Sequence, residues 1–103
     1  LFMHHPPFEV RESKYRWQYA SQDAIKRLSS VIGSHNHVVR LFCGHAHRQS
    51  LGKIAGVPGG TVPSVAIDLR LGDFPEAAET SPVFHLHYYQ PDAGFVTELH
   101  IAA

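Results

Sequence analysis

The chain has 103 residues, 44% of them hydrophobic and 17% charged, and its nine Lys and Arg balance nine Asp and Glu. That composition excludes an intrinsically disordered segment, and the zero net charge gives no electrostatic case for nucleic acid or an anionic membrane as partner. No apolar run reaches the roughly 18 to 20 residues that cross a bilayer as a helix, and the lone Cys43 forbids an intrachain disulfide.

Leu1-Phe2-Met3 reads as a short buried strand. Pro6 and Pro7 then stop strand pairing, because neither has a backbone donor and each biases its predecessor to extended geometry. Residues 8–20 mix charge with Tyr15, Trp17 and Tyr19 without periodicity, which predicts an irregular loop over the edge of a site. Ser21 is the expected cap of a helix whose apolar residues Ala24, Ile25, Leu28, Val31 and Ile32 repeat at helical spacing. Gly33 is expected to end it. Residues 38–43 form a second apolar run, in which Cys43 is expected to be a buried, inert thiol, as fits a reducing compartment. Strand, helix and strand in that order predict two parallel strands joined by a right-handed crossover, with their carboxyl ends on one sheet edge. Further on, the pattern predicts a strand over 51–55, a turn over 56–60, a strand over 61–69 and a surface loop over 70–82. Residues 83–89 and 95–101 alternate with period two around Gln90-Pro91-Asp92-Ala93-Gly94, which predicts a terminal hairpin.

Two histidine motifs stand where apolar runs stop: Met3-His4-His5-Pro6-Pro7 and Cys43-Gly44-His45-Ala46-His47-Arg48. Neighbouring strands lie about 4.8 Å apart, so His4 and His45 come close enough to share a metal ion. Neutral imidazole nitrogen suits Zn, Fe and Mn. Gly44 is expected to allow a backbone geometry or close approach that a side chain would obstruct. Of the remaining histidines, His35 and His37 follow the helix and read as surface loop. His85 and His87 share one face of a strand as polar or subunit-contact residues, and His100 lies in the last strand. Val57-Pro58-Gly59-Gly60-Thr61 lacks the Lys and helix of a phosphate loop, and no Ser or Cys sits in a nucleophile motif.

His4-His5-Pro6 and Gly44-His45-Ala46-His47 resemble the later signature motifs of the calcineurin-like metallophosphoesterases. The fuller strings His4-His5-Pro6-Pro7 and Cys43 to Arg48 look most like the branch related to cyclic-nucleotide and glycerophosphodiester phosphodiesterases, as does Phe84-His85-Leu86-His87 followed by Gly94-Phe95-Val96-Thr97. The family's earlier motifs, Asp-x-His, Gly-Asp-x-x-Asp and Gly-Asn-His-Asp/Glu, have no match here. The resemblance therefore implies that residues 1–103 are the C-terminal portion of a single domain. The implied fold is α/β: part of a metallophosphoesterase-type β-sandwich with a flanking helix, one mixed sheet and a terminal hairpin.

The same resemblance implies a parent phosphodiesterase that uses two divalent or trivalent transition-metal ions (Fe, Mn or Zn) and a metal-bridging hydroxide on a small phosphodiester. His4 and His45 would bind one ion and His47 the other. His5 and Arg48 are expected beside them, His5 lining the cleft or supporting a ligand, and Arg48 bonding locally or reaching substrate. No catalytic residue is expected within the chain, which alone should be inactive because the other ligands and the proton donor lie in the missing N-terminal half. A cytoplasmic location is expected. Uncovered sheet faces carrying Leu41, Val65, Ile67, Leu86 and Leu99 should then seek that half or another copy, which implies a homo-oligomer. The competing reading is a non-catalytic oligomerisation module or a single-metal-binding module.

Overall fold

Two short apolar strands, β1 (Phe2–Met3) and β2 (Leu41–Cys43), pair in parallel, with Phe2 opposite Phe42 and Met3 opposite Cys43. A computed structural model describes all residues, 1–103. The crossover between the strands holds helix α1 (Gln22–Gly33), capped as expected by Ser21, whose hydroxyl accepts from the Ala24 N–H at 3.2 Å. Its other end falls at Gly33, as expected, but without a left-handed glycine. Ser34 closes the helix, its N–H shared between the Ser30 and Val31 carbonyls and its hydroxyl donating to Val31 at 2.8 Å.

The second apolar run pairs only from Leu41, and Val39 before it is exposed. Strands β3 (Ser50–Ile54) and β4 (Val57–Thr61) complete a mixed sheet of order β1-β2-β4-β3, with β4 parallel to β2 and antiparallel to β3. The segment expected as a turn, 56–60, is therefore mostly strand. The turn is Ala55-Gly56, with φ of 49° and 77°, the two-residue hairpin geometry whose twist suits paired strands. Pro58 is tolerated because it precedes the β2–β4 pairing, which starts at Leu41 opposite Gly59. The expected strand over 61–69 ends at Thr61. Pro63 offers no donor, the Ser64 hydroxyl accepts from the Ala66 N–H at 3.1 Å, and Ile67–Leu69 form a single 3-10 turn. The hairpin of β5 (Val83–Gln90) and β6 (Gly94–Ile101) forms a separate two-stranded sheet.

Gly52 of β3 and Gly59 of β4 have a packing reason. Gly52 and Gly59 are paired, and the Phe8 ring lies against both. A Cβ at Gly52 would sit 2.2 Å from Phe8 Cδ2, and one at Gly59 would sit 2.7 Å from Cε1. The loop over 8–20 thus reaches into the sheet through Phe8, which is buried with Ile32, Leu41, Cys43 and Ile54 on the face that α1 covers. Strand alternation sends Leu41 and Cys43 to that face and Phe42 to the other. Leu41, expected on an uncovered face, is fully buried, whereas Val65, Ile67 and Leu86 are exposed.

The opposite face is thinly covered. Phe42 meets the hairpin at His87 and Phe95, with ring centroids 4.2 and 5.2 Å away, yet Phe2 and Leu51 are 83% and 78% exposed. Only 15 of 103 residues are buried, as suits a slab of 43 × 35 × 17 Å with one well-filled layer. No helix is long and apolar enough to cross a membrane.

Replacing Gly52 by Ala should cost about 1–3 kcal/mol by overpacking against Phe8. Made in a Phe8→Leu background, the same change should cost measurably less in urea unfolding, because the two sites couple. Equal costs in both backgrounds would contradict the ring-on-glycine contact.

Candidate metal centre

Pairing of β1 with β2 extends one residue beyond both strands, through a hydrogen bond from the Gly44 N–H to the His4 carbonyl at 3.0 Å. His4 and His45 therefore leave the same sheet edge side by side. His4 Nε2 lies 3.3 Å from His45 Nδ1. The His5 ring joins them, its centroid 4.0 Å from that of His45 and 4.9 Å from that of His4. Ligand nitrogens of His4, His5 and His45 all lie within 4.8 Å of one another, and all three side chains are exposed.

The turn that presents His45 is strained. The Ala46 N–H donates to the Gly44 carbonyl at 2.7 Å across His45, whose φ is 62°, which makes a γ-turn of the rare positive-φ kind. His47 is also left-handed, with φ 57°. A left-handed residue with a Cβ costs roughly 1–2 kcal/mol. The conformational freedom expected of Gly44 is thus required at the two histidines instead: Gly44 is not left-handed, and a Cβ there would meet His4 Nδ1 at an ordinary 3.5 Å. Neighbours hold the turn in place. Ala46 is buried, the Leu71 N–H donates to the His47 carbonyl at 2.8 Å, and the Thr61 hydroxyl donates to the Arg48 carbonyl at 2.6 Å.

His47 lies half-buried outside the cluster of three. It still acts on His45, whose pKa is held below the usual imidazole value by loss of solvent first and then by repulsion from His5, His4 and His47. The neutral form so favoured is the one that binds metal. Arg48 Nη1 donates to the Glu12 carbonyl at 2.8 Å, and the Ser50 hydroxyl donates to Glu12 Oε2 at 2.8 Å. Glu12 is held below the usual carboxylate range by its own backbone N–H, then by Ser50, with Arg48 assisting. This network ties the 8–20 loop to the turn that carries His45 and His47.

Tyr19, which sequence pattern placed only in a loop, donates its hydroxyl to the His5 carbonyl at 3.3 Å. The remaining histidines lie elsewhere. His85 Nε2 pairs with Gln49 Oε1 at 2.9 Å and His87 Nδ1 with Thr97 Oγ1 at 2.8 Å, His100 meets Glu98 at 3.0 Å, and His35 and His37 are exposed on a loop. Burial pushes the Cys43 thiol up to about 11, so it is protonated and unreactive near neutral pH.

Fold and site define an α/β unit that gathers imidazoles at the carboxyl ends of adjacent parallel strands, a donor set suited to late transition-metal ions. No family model matches the chain. It is 34% identical over 102 residues to a curated protein of Arcobacter nitrofigilis named "Probable glycerophosphodiester phosphodiesterase GpdQ". The alignment takes in 94% of this chain and 37% of that relative, so the chain spans little more than a third of the relative's length.

Because His45 is left-handed, His45→Gly should be more stable than His45→Ala by about 1 kcal/mol in chemical denaturation. The opposite order would show that residue 45 has ordinary backbone geometry.

Proposed function

We propose that this chain is the histidine-bearing part of a metal-dependent phosphodiesterase, and that the whole protein uses two transition-metal ions to hydrolyse a small phosphodiester. One observation carries the reading: His4 Nε2 and His45 Nδ1, 41 residues apart in sequence, lie 3.3 Å apart at one sheet edge. The likeness to a protein named as a glycerophosphodiester phosphodiesterase supports the reaction class, with glycerophosphodiesters as the substrates to try first.

In this reading His4 and His45 hold one ion and His47 the other, the remaining ligands coming from the part of the protein outside this chain. The donor chemistry fits, since all three are imidazoles on one edge and His45 is biased to its neutral form. When bound, the ions supply Lewis-acid polarisation of the phosphodiester and a nucleophile at neutral pH. The chain's own residues position. Arg48 and Glu12 fasten the ligand turn to the loop, and Tyr19 fixes the His5 backbone at the site mouth. With no net charge on the chain, an anionic substrate is recognised by the ions and local dipoles rather than by a basic field. The apolar face around Phe2 and Leu51 is covered by the rest of the protein or by another copy, since buried apolar surface contributes about 25 cal/mol per Å².

Loss of a partner that merely supports a metal ligand costs about 10- to 100-fold, so loss of a ligand itself should cost at least about 100-fold. In the full-length protein, His45→Ala and His47→Ala should each lower phosphodiester turnover by that much with the fold retained, assayed with a chromogenic phosphodiester at saturating metal. Unchanged turnover in either variant would remove the assignment.

A further inference from the structure

We infer that His5 is a metal ligand in its own right, and that His4, His5 and His45 form a mononuclear three-imidazole site for Zn(II) carried by this chain alone. The inference shares His4 and His45 with the two-ion reading but does not require it.

In a strand, successive side chains point to opposite faces, so His4 and His5 should diverge. They do not, because β1 has ended at Met3 and the chain bends at His4 and His5 before the buried pair Pro6-Pro7. The bend turns His5 onto the same point as His4, with its ring 4.0 Å from that of His45 by centroid. The Tyr19 hydroxyl, bonded to the His5 carbonyl, holds the bend from the loop side.

The spacing suits one small ion. Two nitrogens bonded at about 2.0–2.1 Å to a tetrahedral ion lie about 3.3 Å from each other. His4 Nε2 and His45 Nδ1 are 3.3 Å apart, and the His5 nitrogen lies within 4.8 Å of both, a gap that a modest side-chain rotation closes. The donor set is three imidazoles with no carboxylate, which favours Zn(II), Co(II) or Cu(II) over the oxygen-seeking Mg²⁺ and Ca²⁺. All three residues are exposed, so a fourth position faces solvent. His47, in contrast, is outside the cluster, and its carbonyl is tied to Leu71.

Co(II), the spectroscopic stand-in for Zn(II), tests this on the 103-residue chain, with circular dichroism confirming that each variant stays folded. The wild type should bind one equivalent with the intense visible bands of a low-coordinate site. His5→Ala should weaken binding by about tenfold or more, while His35→Ala, in an exposed loop outside the cluster, leaves it within about threefold. His5→Cys should restore binding and add a sulfur-to-cobalt charge-transfer band, which appears only if the side chain at position 5 touches the ion. If the isolated chain does not hold its fold, the same His5→Cys band is sought in the full-length protein. Absence of that band, no stoichiometric binding by the wild type, or His35→Ala weakening binding as much as His5→Ala would each overturn the inference. None of these outcomes depends on turnover, so a failure here is distinguishable from a failure of the phosphodiesterase reading.

Discussion

Parallel pairing of β1 with β2 is the constraint on which the rest depends. Two residues of one strand and three of the other, joined through α1, determine that Met3 opposes Cys43 and that the Gly44 amide reaches the His4 carbonyl. Because both strands run the same way, whatever follows each emerges at one edge. A shift in register by one residue would send Leu41 and Cys43 out of the layer beneath α1 and separate the imidazoles. The hydrophobic fit of Leu41 and Cys43 under α1 and the meeting of His4 with His45 are thus consequences of one register.

Such short strands would be weak alone, and the irregular segment after Pro7 supplies much of what they lack. Phe8 fills the window left by Gly52 and Gly59, so the sheet binds the loop through the side chains it does not have. Glu12 then links Ser50 of β3 to Arg48 beside the His45 turn, and Tyr19 returns to His5. Core packing, a part-buried polar network and the rim of the site are three stretches of one loop. The strain at His45 and His47 persists because those attachments over-determine the turn, with Thr61 of β4 holding its exit.

Much of this was legible in residue pattern. The apolar spacing from Ala24 to Ile32, with Ser21 before it, gave the helix and its cap, and period-two alternation gave the terminal hairpin almost to the residue. The two histidine motifs gave the convergence of His4 and His45 once the strand-helix-strand order was granted. What misled was glycine and proline. Pro58-Gly59-Gly60 has the composition of a turn, but Gly59 packs against the ring of Phe8, far earlier in the chain, a contact no local window contains. Gly44 likewise suggested backbone freedom that the structure requires at His45 and His47. Adjacent side chains at His4 and His5 were expected in different roles, and only the bend before Pro6 brings them to one point. Tyr19 could not be singled out from Tyr15 and Trp17 by composition alone.

The most direct test of the central claim, that one register brings His4 and His45 to a common ion, is a zinc titration followed by long-range nitrogen–proton NMR of the histidine rings. The geometry predicts that His4 Nε2 and His45 Nδ1 shift together and saturate at the same single equivalent. Shifts confined to one of the two rings, or the two rings saturating at different equivalents, would contradict it.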